Sequence, residues 1–161
     1  MSGVLIRRAS AGDAEALHAA LARLAFHLGT AEEFHARAAD YLRHGFGARP
    51  LFRALIASDG GETLGVAVFF PEFSTMRGRP GVYLQDLWVA EGARGSGLGR
   101  RLLGAVLHEA AEWEAAYMKL ATHIENPEAI RFYRGLGFRT DEGERVFVIE
   151  GAVLDRLKGE R

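Results

Sequence analysis

The chain has no cysteine anywhere in its 161 residues. That absence excludes disulfide frameworks, zinc ribbons, thiolate nucleophiles and dithiol redox motifs together. A run of about eighteen uncharged apolar residues is also missing, so no membrane-spanning helix is expected. Neither charge dominates: 20 Lys and Arg stand against 21 Asp and Glu, a formal net charge of −1. A nucleic-acid-coating protein needs a basic surplus, so that class is disfavoured. Lysine is nearly absent, with only Lys119 and Lys158, a bias that genomic base composition explains. Arg7 and Arg8 precede no apolar run, so no secretory signal is expected. What these absences leave is a single cytoplasmic domain over 1–161, with 48% apolar and 25% charged residues.

What the sequence does have is glycine, at 20 positions, above average usage of about 7%. Three fall together at Gly95, Gly97 and Gly99. The surrounding periodicity gives an order of elements. Val4 to Arg8 reads as a strand, followed by a helix carrying Ala16, Leu17, Ala20, Leu21, Leu24 and Leu28, which Gly29 ends. Thr30 with Glu33 has a capping-box spacing and predicts a second helix to about His44. Leu51 to Ala57 and Leu64 to Phe70 read as strands joined through Asp59-Gly60-Gly61, a tight hairpin turn. A third strand is expected over Val82 to Val89 and an amphipathic helix from Leu98 to about Ala116. Met118 to Ile124 follows as a strand, Pro127 to Arg134 as a short helix, and Phe138 to Ile149 as one or two final strands. Hairpins first and helix-connected strands later make a mixed α/β sheet.

The segment from Leu87 to Arg101 therefore runs strand, glycine loop, helix start. Glycines let the backbone approach a ligand, and the first amides of the helix point outward unpaired. The helix dipole, Arg94, Arg100 and Arg101 add positive potential, which together describe a pyrophosphate cradle. A Walker loop is excluded because no Gly-Lys-Ser/Thr follows. The dinucleotide fingerprint also fails, since Leu102 or Arg100 occupies its third glycine position. A turn that merely lets a strand enter a helix is the bland alternative. His108-Glu109-Ala110-Ala111-Glu112 lacks the second histidine of a zinc motif and reads as a solvated helical face, so no metal is expected.

Arg94-Gly95-Ser96-Gly97-Leu98-Gly99 resembles the Arg/Gln-x-x-Gly-x-Gly/Ala signature of the GNAT superfamily of N-acetyltransferases. Asn126 to Phe138 resembles that family's Asn-x-x-Ala-x-x-Phe-Tyr-x-x-x-Gly-Phe element, in the expected order. Gly45 to Phe52, Tyr83 to Val89 and Glu142 to Phe147 resemble the spermidine/spermine (diamine) acetyltransferase branch more narrowly. Gln85 stands where that branch usually has Glu, and Glu144 where it has an aromatic.

The resemblance implies a mostly antiparallel mixed sheet with one splayed parallel pair and helices on both faces. It implies acetyl-CoA as acetyl donor, a small-molecule primary amine (polyamine-like or amino-acid-like) as acceptor, direct transfer, and a homodimer. The pantetheine arm would pair with the backbone of Leu87, Trp88 and Val89. The pyrophosphate would lie on Arg94, Gly95, Ser96, Gly97, Leu98, Gly99 and Arg100, with Asn126, Ala129 and Phe132 approaching from the second motif. Tyr133 is the candidate general acid for the leaving thiolate, and a strand amide would hold the oxyanion. Gln85 does not titrate, so the base is sought among Asp86, Glu125 and Glu142, with His123 beyond them. Asp86 is favoured as catalytic amine anchor, with Gln85 and Glu142 beside the acceptor. Strand alternation puts Gln85 and Asp86 on opposite faces unless a bulge intervenes. A CoA-binding module without catalysis is the competing reading, and a protein-lysine acceptor a weaker third.

Overall fold

Burial along the central strands decides the architecture. In β2 (Arg53–Asp59), Ala54 and Ile56 face one way, Leu55 and Ala57 the other, and all four are buried. A strand covered on both sides needs a helical layer on each face of its sheet. The computed structural model, which describes residues 3–159, has those layers. Its chain runs β1 (Leu5–Arg8), α1 (Ala14–His27), α2 (Ala38–Gly45), β2, β3 (Glu62–Ser74), β4 (Arg79–Val89), α3 (Leu98–Ala110), β5 (Met118–Leu120), α4 (Pro127–Gly135) and α5 (Gly151–Lys158). The strands lie in the order β1-β2-β3-β4-β5, antiparallel except for the parallel β4–β5 pair. This is the mixed α/β sheet the sequence led us to expect.

Leu17, Ala20 and Leu21 of α1 pack on Ala54, Ile56, Val66, Val68 and Trp88. The opposite face receives α3, whose Leu98 and Leu102 close over Gly65: a Cβ there would stand 2.9 Å from Leu102 Cδ1. Phe69 lies on that side too, its ring 6.0 Å from Trp113. Leu17, Phe69 and Leu102 are each fully inaccessible, and burying such a side chain contributes about 1.5–3 kcal/mol. The β2–β3 turn is the two-residue Gly60-Gly61 hairpin, with φ of +54° and +88°. Asp13 secures the start of α1. Its carboxylate accepts from the Ser10 amide at 2.7 Å and pairs with both Arg7 nitrogens at 2.7 and 2.8 Å. Among the described residues no helix is long and apolar enough to cross a membrane.

Four expected boundaries are corrected. The helix expected from Thr30 to His44 is broken, because Thr30 Oγ1 donates back to the Ala25 carbonyl at 3.3 Å rather than opening a new helix. Phe34 then turns extended, with ψ of 91°, to pack against the core, and α2 restarts where Asp40 accepts from the Arg37 amide at 2.8 Å. The long helix ends at Ala110, followed by a tight turn and a left-handed Glu114 at φ 55°. Only three residues of the expected Met118–Ile124 strand pair with β4. Phe138 to Ile149 forms no strand, and α5, which the periodicity did not suggest, follows it. Strand propensity yields a strand only when a partner edge completes the ladder.

The chain divides into two compact units between His123 and Ile124. The first holds the sheet with α1, α2 and α3, and the second holds α4 and α5.

Candidate active site

The register of β3 against β4 slips once. Val68 pairs with Asp86 and Phe69 with Leu84, so Gln85 is an extra residue on β4. The bulge bends the strand and reverses its alternation beyond that point. Asp86 consequently shares a face with Val68 and with Trp88, the side covered by α1, while Gln85 is exposed. Burial among these apolar groups pushes the Asp86 carboxyl up to about 6. Tyr41 of α2 lies within electrostatic reach. Its phenol is pushed up to about 12, first by burial and then by the charges of Asp86 and Asp40. Its ring lies 6.3 Å from His18 and 6.3 Å from Phe52. Tyr41 was invisible to sequence reading, because only the bulge identifies the face that Asp86 occupies.

The same bulge sets the limit of the parallel pair. β4 and β5 match over Val82–Leu84 and Met118–Leu120, and pairing stops where Gln85 begins. Leu87, Trp88 and Val89 continue along β3 alone, opposite Ala67, Val66 and Gly65. Among the described residues no strand pairs with their other edge. The Trp88 side chain itself is buried on the α1 face.

The chain then enters the glycine loop. Ala90 donates to the Leu64 carbonyl at 2.8 Å, a single turn spans Glu91–Ala93, and Arg94 is extended with its Nε 3.3 Å from the Val89 carbonyl. Gly95 and Gly97 take φ of +73° and +83°, which disfavours any side chain at either position. Ser96 Oγ donates to the Ala93 carbonyl at 2.6 Å. Gly97 is the N-cap of α3 and brings no side-chain cap, so the first amides of α3 lack an acceptor from that position. Left-handed glycines at a helix start form an anion-binding concavity, and this loop fits a pyrophosphate. Arg100 is exposed beside it, whereas Arg101 is committed to the Val4 carbonyl at 3.0 Å. Leu98 is buried, so only its backbone is available to a ligand.

In the second unit Asn126 caps α4: its Oδ1 accepts from the Ala129 amide at 3.1 Å, with Pro127 at the first helical position. Tyr133 is half-buried between Phe132 and Phe138, ring centroids 5.1 and 5.4 Å away. Glu142 is exposed in the irregular stretch before α5. Glu109 and Glu112 have a structural use: they hold Arg8 and Arg53, with Arg53 Nη2 2.8 Å from Glu112.

Comparison with known proteins agrees with this geometry. The chain is 28% identical over 170 residues to thialysine N-epsilon-acetyltransferase of Sus scrofa, covering 99% of each. It is 30% identical over 152 residues to spermidine/spermine N(1)-acetyltransferase-like protein 1 of Homo sapiens, covering 88% of this chain and 22% of that one. An integron cassette protein from the mobile metagenome of V. cholerae shares the fold, with a TM-score of 0.80, 23% identity and coverage of 97% and 98%. The sequence profile described as the Acetyltransferase (GNAT) family matches residues 15–138, from α1 through the end of the second motif. With the glycine loop at the start of α3 and the parted β4–β5 pair, that match shows that the chain belongs to the GNAT acetyltransferase family.

Proposed function

We propose that the protein is an N-acetyltransferase that moves an acetyl group from acetyl-CoA directly to a primary amine of a small molecule. One observation carries the reading: the bulge at Gln85 both ends the β4–β5 pairing and sets Asp86 in an apolar face. Acetyl-CoA, when bound, supplies an activated acetyl thioester. The amides from Gly95 to Arg100 suit its pyrophosphate, and the open edge of Leu87, Trp88 and Val89 suits its pantetheine. By the family resemblance, Asn126, Ala129 and Phe132 of the second motif also serve the donor. By the same resemblance Gln85 and Glu142 serve the acceptor.

Asp86 anchors the incoming ammonium and takes its proton. With its carboxyl near 6, Asp86 is ionised at neutral pH yet far closer to it than an ordinary aspartate. Tyr133 returns a proton to the leaving sulfur. The relatives named for thialysine and for spermidine/spermine support a small aliphatic amine as acceptor. By the same resemblance the protein works as a homodimer, and its ordinary globular composition favours the cytoplasm.

Thiol release from acetyl-CoA, measured against spermidine, putrescine, thialysine, lysine and aminoglycosides, tests the reading. Turnover of one chemical class supports it, and Tyr133→Phe then lowers turnover by about 10²–10⁴-fold with little change in acetyl-CoA affinity. Silence across the panel with acetyl-CoA still bound contradicts it and leaves a binding module.

A further inference from the structure

The side of the sheet that carries Asp86 lies beneath a chain of rings from α1, α2 and the approach to β2. Phe34 stacks on His18 of α1, with centroids 5.5 Å apart and planes 27° off parallel. His18 meets Tyr41 of α2 at 6.3 Å, and Tyr41 meets Phe52 edge-on at 6.3 Å and 86°. Phe46 ends the chain 6.4 Å from Phe52, whose ring fills the space a Gly45 side chain would take. Phe34, Tyr41, Phe46 and Phe52 all pack on the core group that includes Val68 and Trp88. Those two are the cross-strand partner and the same-face neighbour of Asp86. The Asp86 charge reaches the Tyr41 phenol. The other ionisable groups of the covering elements mostly face water: Glu15, Arg23 and His27 of α1, those from Glu32 to Arg37, and Arg43, His44 and Arg49 are exposed. Arg23 stands 5.9 Å over the Trp88 ring, and half-buried Asp40 accepts from the Arg37 amide. Burial is what raises the Asp86 carboxyl, so the group that keeps water from it governs its basicity.

We propose that Tyr41 is the positioning residue of the acceptor site: its ring, braced between His18 and Phe52, roofs Asp86 from α2 and reserves the carboxylate for the acceptor ammonium by keeping bulk water away. This rests on the acetyltransferase reading with Asp86 as proton acceptor. A ring gripped on two sides loses both contacts if it turns out, so it holds one place over the face. A carboxylate beneath it is short of hydration, and an ammonium that reaches it supplies the missing hydrogen bonds. The hydroxyl is incidental. The flat apolar ring is what excludes water.

The test follows the Asp86 carboxyl carbon by NMR through pH, beside the pH profile of kcat/KM for the best amine. Wild type should titrate near 6 in both. Tyr41→Phe keeps the ring and should leave both midpoints in place. Tyr41→Ala should lower both by about one pH unit, and kcat/KM above the limb by about threefold to tenfold, as a weaker base requires. Tyr41→Leu, a milder truncation, should fall between the two and keeps the test available if the alanine variant folds poorly. Midpoints that neither Tyr41→Ala nor Tyr41→Leu moves overturn the proposal and leave the acetyltransferase reading standing. So does a fall in Tyr41→Phe as large as that in Tyr41→Ala, because the hydroxyl would then be the agent. A wild type that turns over no amine of the panel with acetyl-CoA bound overturns the acetyltransferase reading, and the positioning role with it, whatever the NMR midpoints do.

Discussion

Asp86 is the residue where stability and the proposed function oppose each other. Unfolded, its carboxyl ionises near 3.8, and folded near 6. The native state thus holds an extra proton between those values, so stability falls as pH rises through that window. At neutral pH the ionised carboxylate costs the fold about 3 kcal/mol. Asp86→Asn should therefore be more stable than wild type at pH 7.5, by about 1–3 kcal/mol. At pH 4, where the wild-type carboxyl is mostly protonated when folded, the gain should largely vanish. Urea unfolding at the two pH values checks this, and equal gains at both would show that desolvated charge is not the cause. Under the proposed role of Asp86 as base, the same substitution should lower turnover by about 10²–10⁴-fold. Gln85, one position away, is exposed and cannot titrate. Gln85→Ala should change stability by no more than about 0.5 kcal/mol.

At the scale of elements, three local geometries hold the site. The bulge in β4 parts it from β5, Gly97 opens α3, and Gly45 lets the Phe52 ring lie directly against the end of α2. Gly97→Ala puts a side chain at φ +83° and should cost about 1 kcal/mol. It should also raise the acetyl-CoA Kd, as isothermal calorimetry would show. Gly45→Ala would drive a Cβ into the Phe52 ring, which in turn contacts Tyr41. Its thermal midpoint should fall by several degrees. These geometries also mark how far the sequence could be read. The glycine loop, the 3.6-residue period of α1 and α3 and the Gly60-Gly61 turn are written in residue types with a direct conformational cause. The bulge is not, because Gln85 has no feature that demands an extra position and the slip emerges only when β3 is laid alongside. Thr30 and Glu33 spell a capping box, yet burial of Phe34 against the α1 core outweighs it. Arg145 to Ile149 has the β-branched and aromatic content of a strand, but Val146, Phe147 and Val148 lie exposed without a ladder. Tyr41 went unnoticed for the same reason: it meets Asp86 only once α2 is laid over the face that the bulge selects.

For the molecule as a whole, the first unit rests on its two apolar layers, not on its charges. Arg8, Arg53, Glu109 and Glu112 tie the end of α3 to β1 and β2, but Arg8 and Glu112 are substantially solvated and such pairs contribute about 0–1 kcal/mol each. Leu102→Ala, which empties the α3 layer, should cost about 2–5 kcal/mol by comparison. Because only the native chain holds the donor, acetyl-CoA at 100 times its Kd should stabilise the protein by about 2.7 kcal/mol. Sedimentation at micromolar concentration tests the homodimer, and a monomer there would refute it. All three scales meet in the proposed role of Asp86: a bulge places one desolvated aspartate to accept the proton of an amine. The most direct test is the pH dependence of kcat/KM for the best amine, in wild type and in Asp86→Asn, with acetyl-CoA affinity measured alongside. An acidic limb near pH 6 is expected in the wild type, and it should disappear in the variant while acetyl-CoA binding persists. An unchanged limb and rate in Asp86→Asn would contradict it.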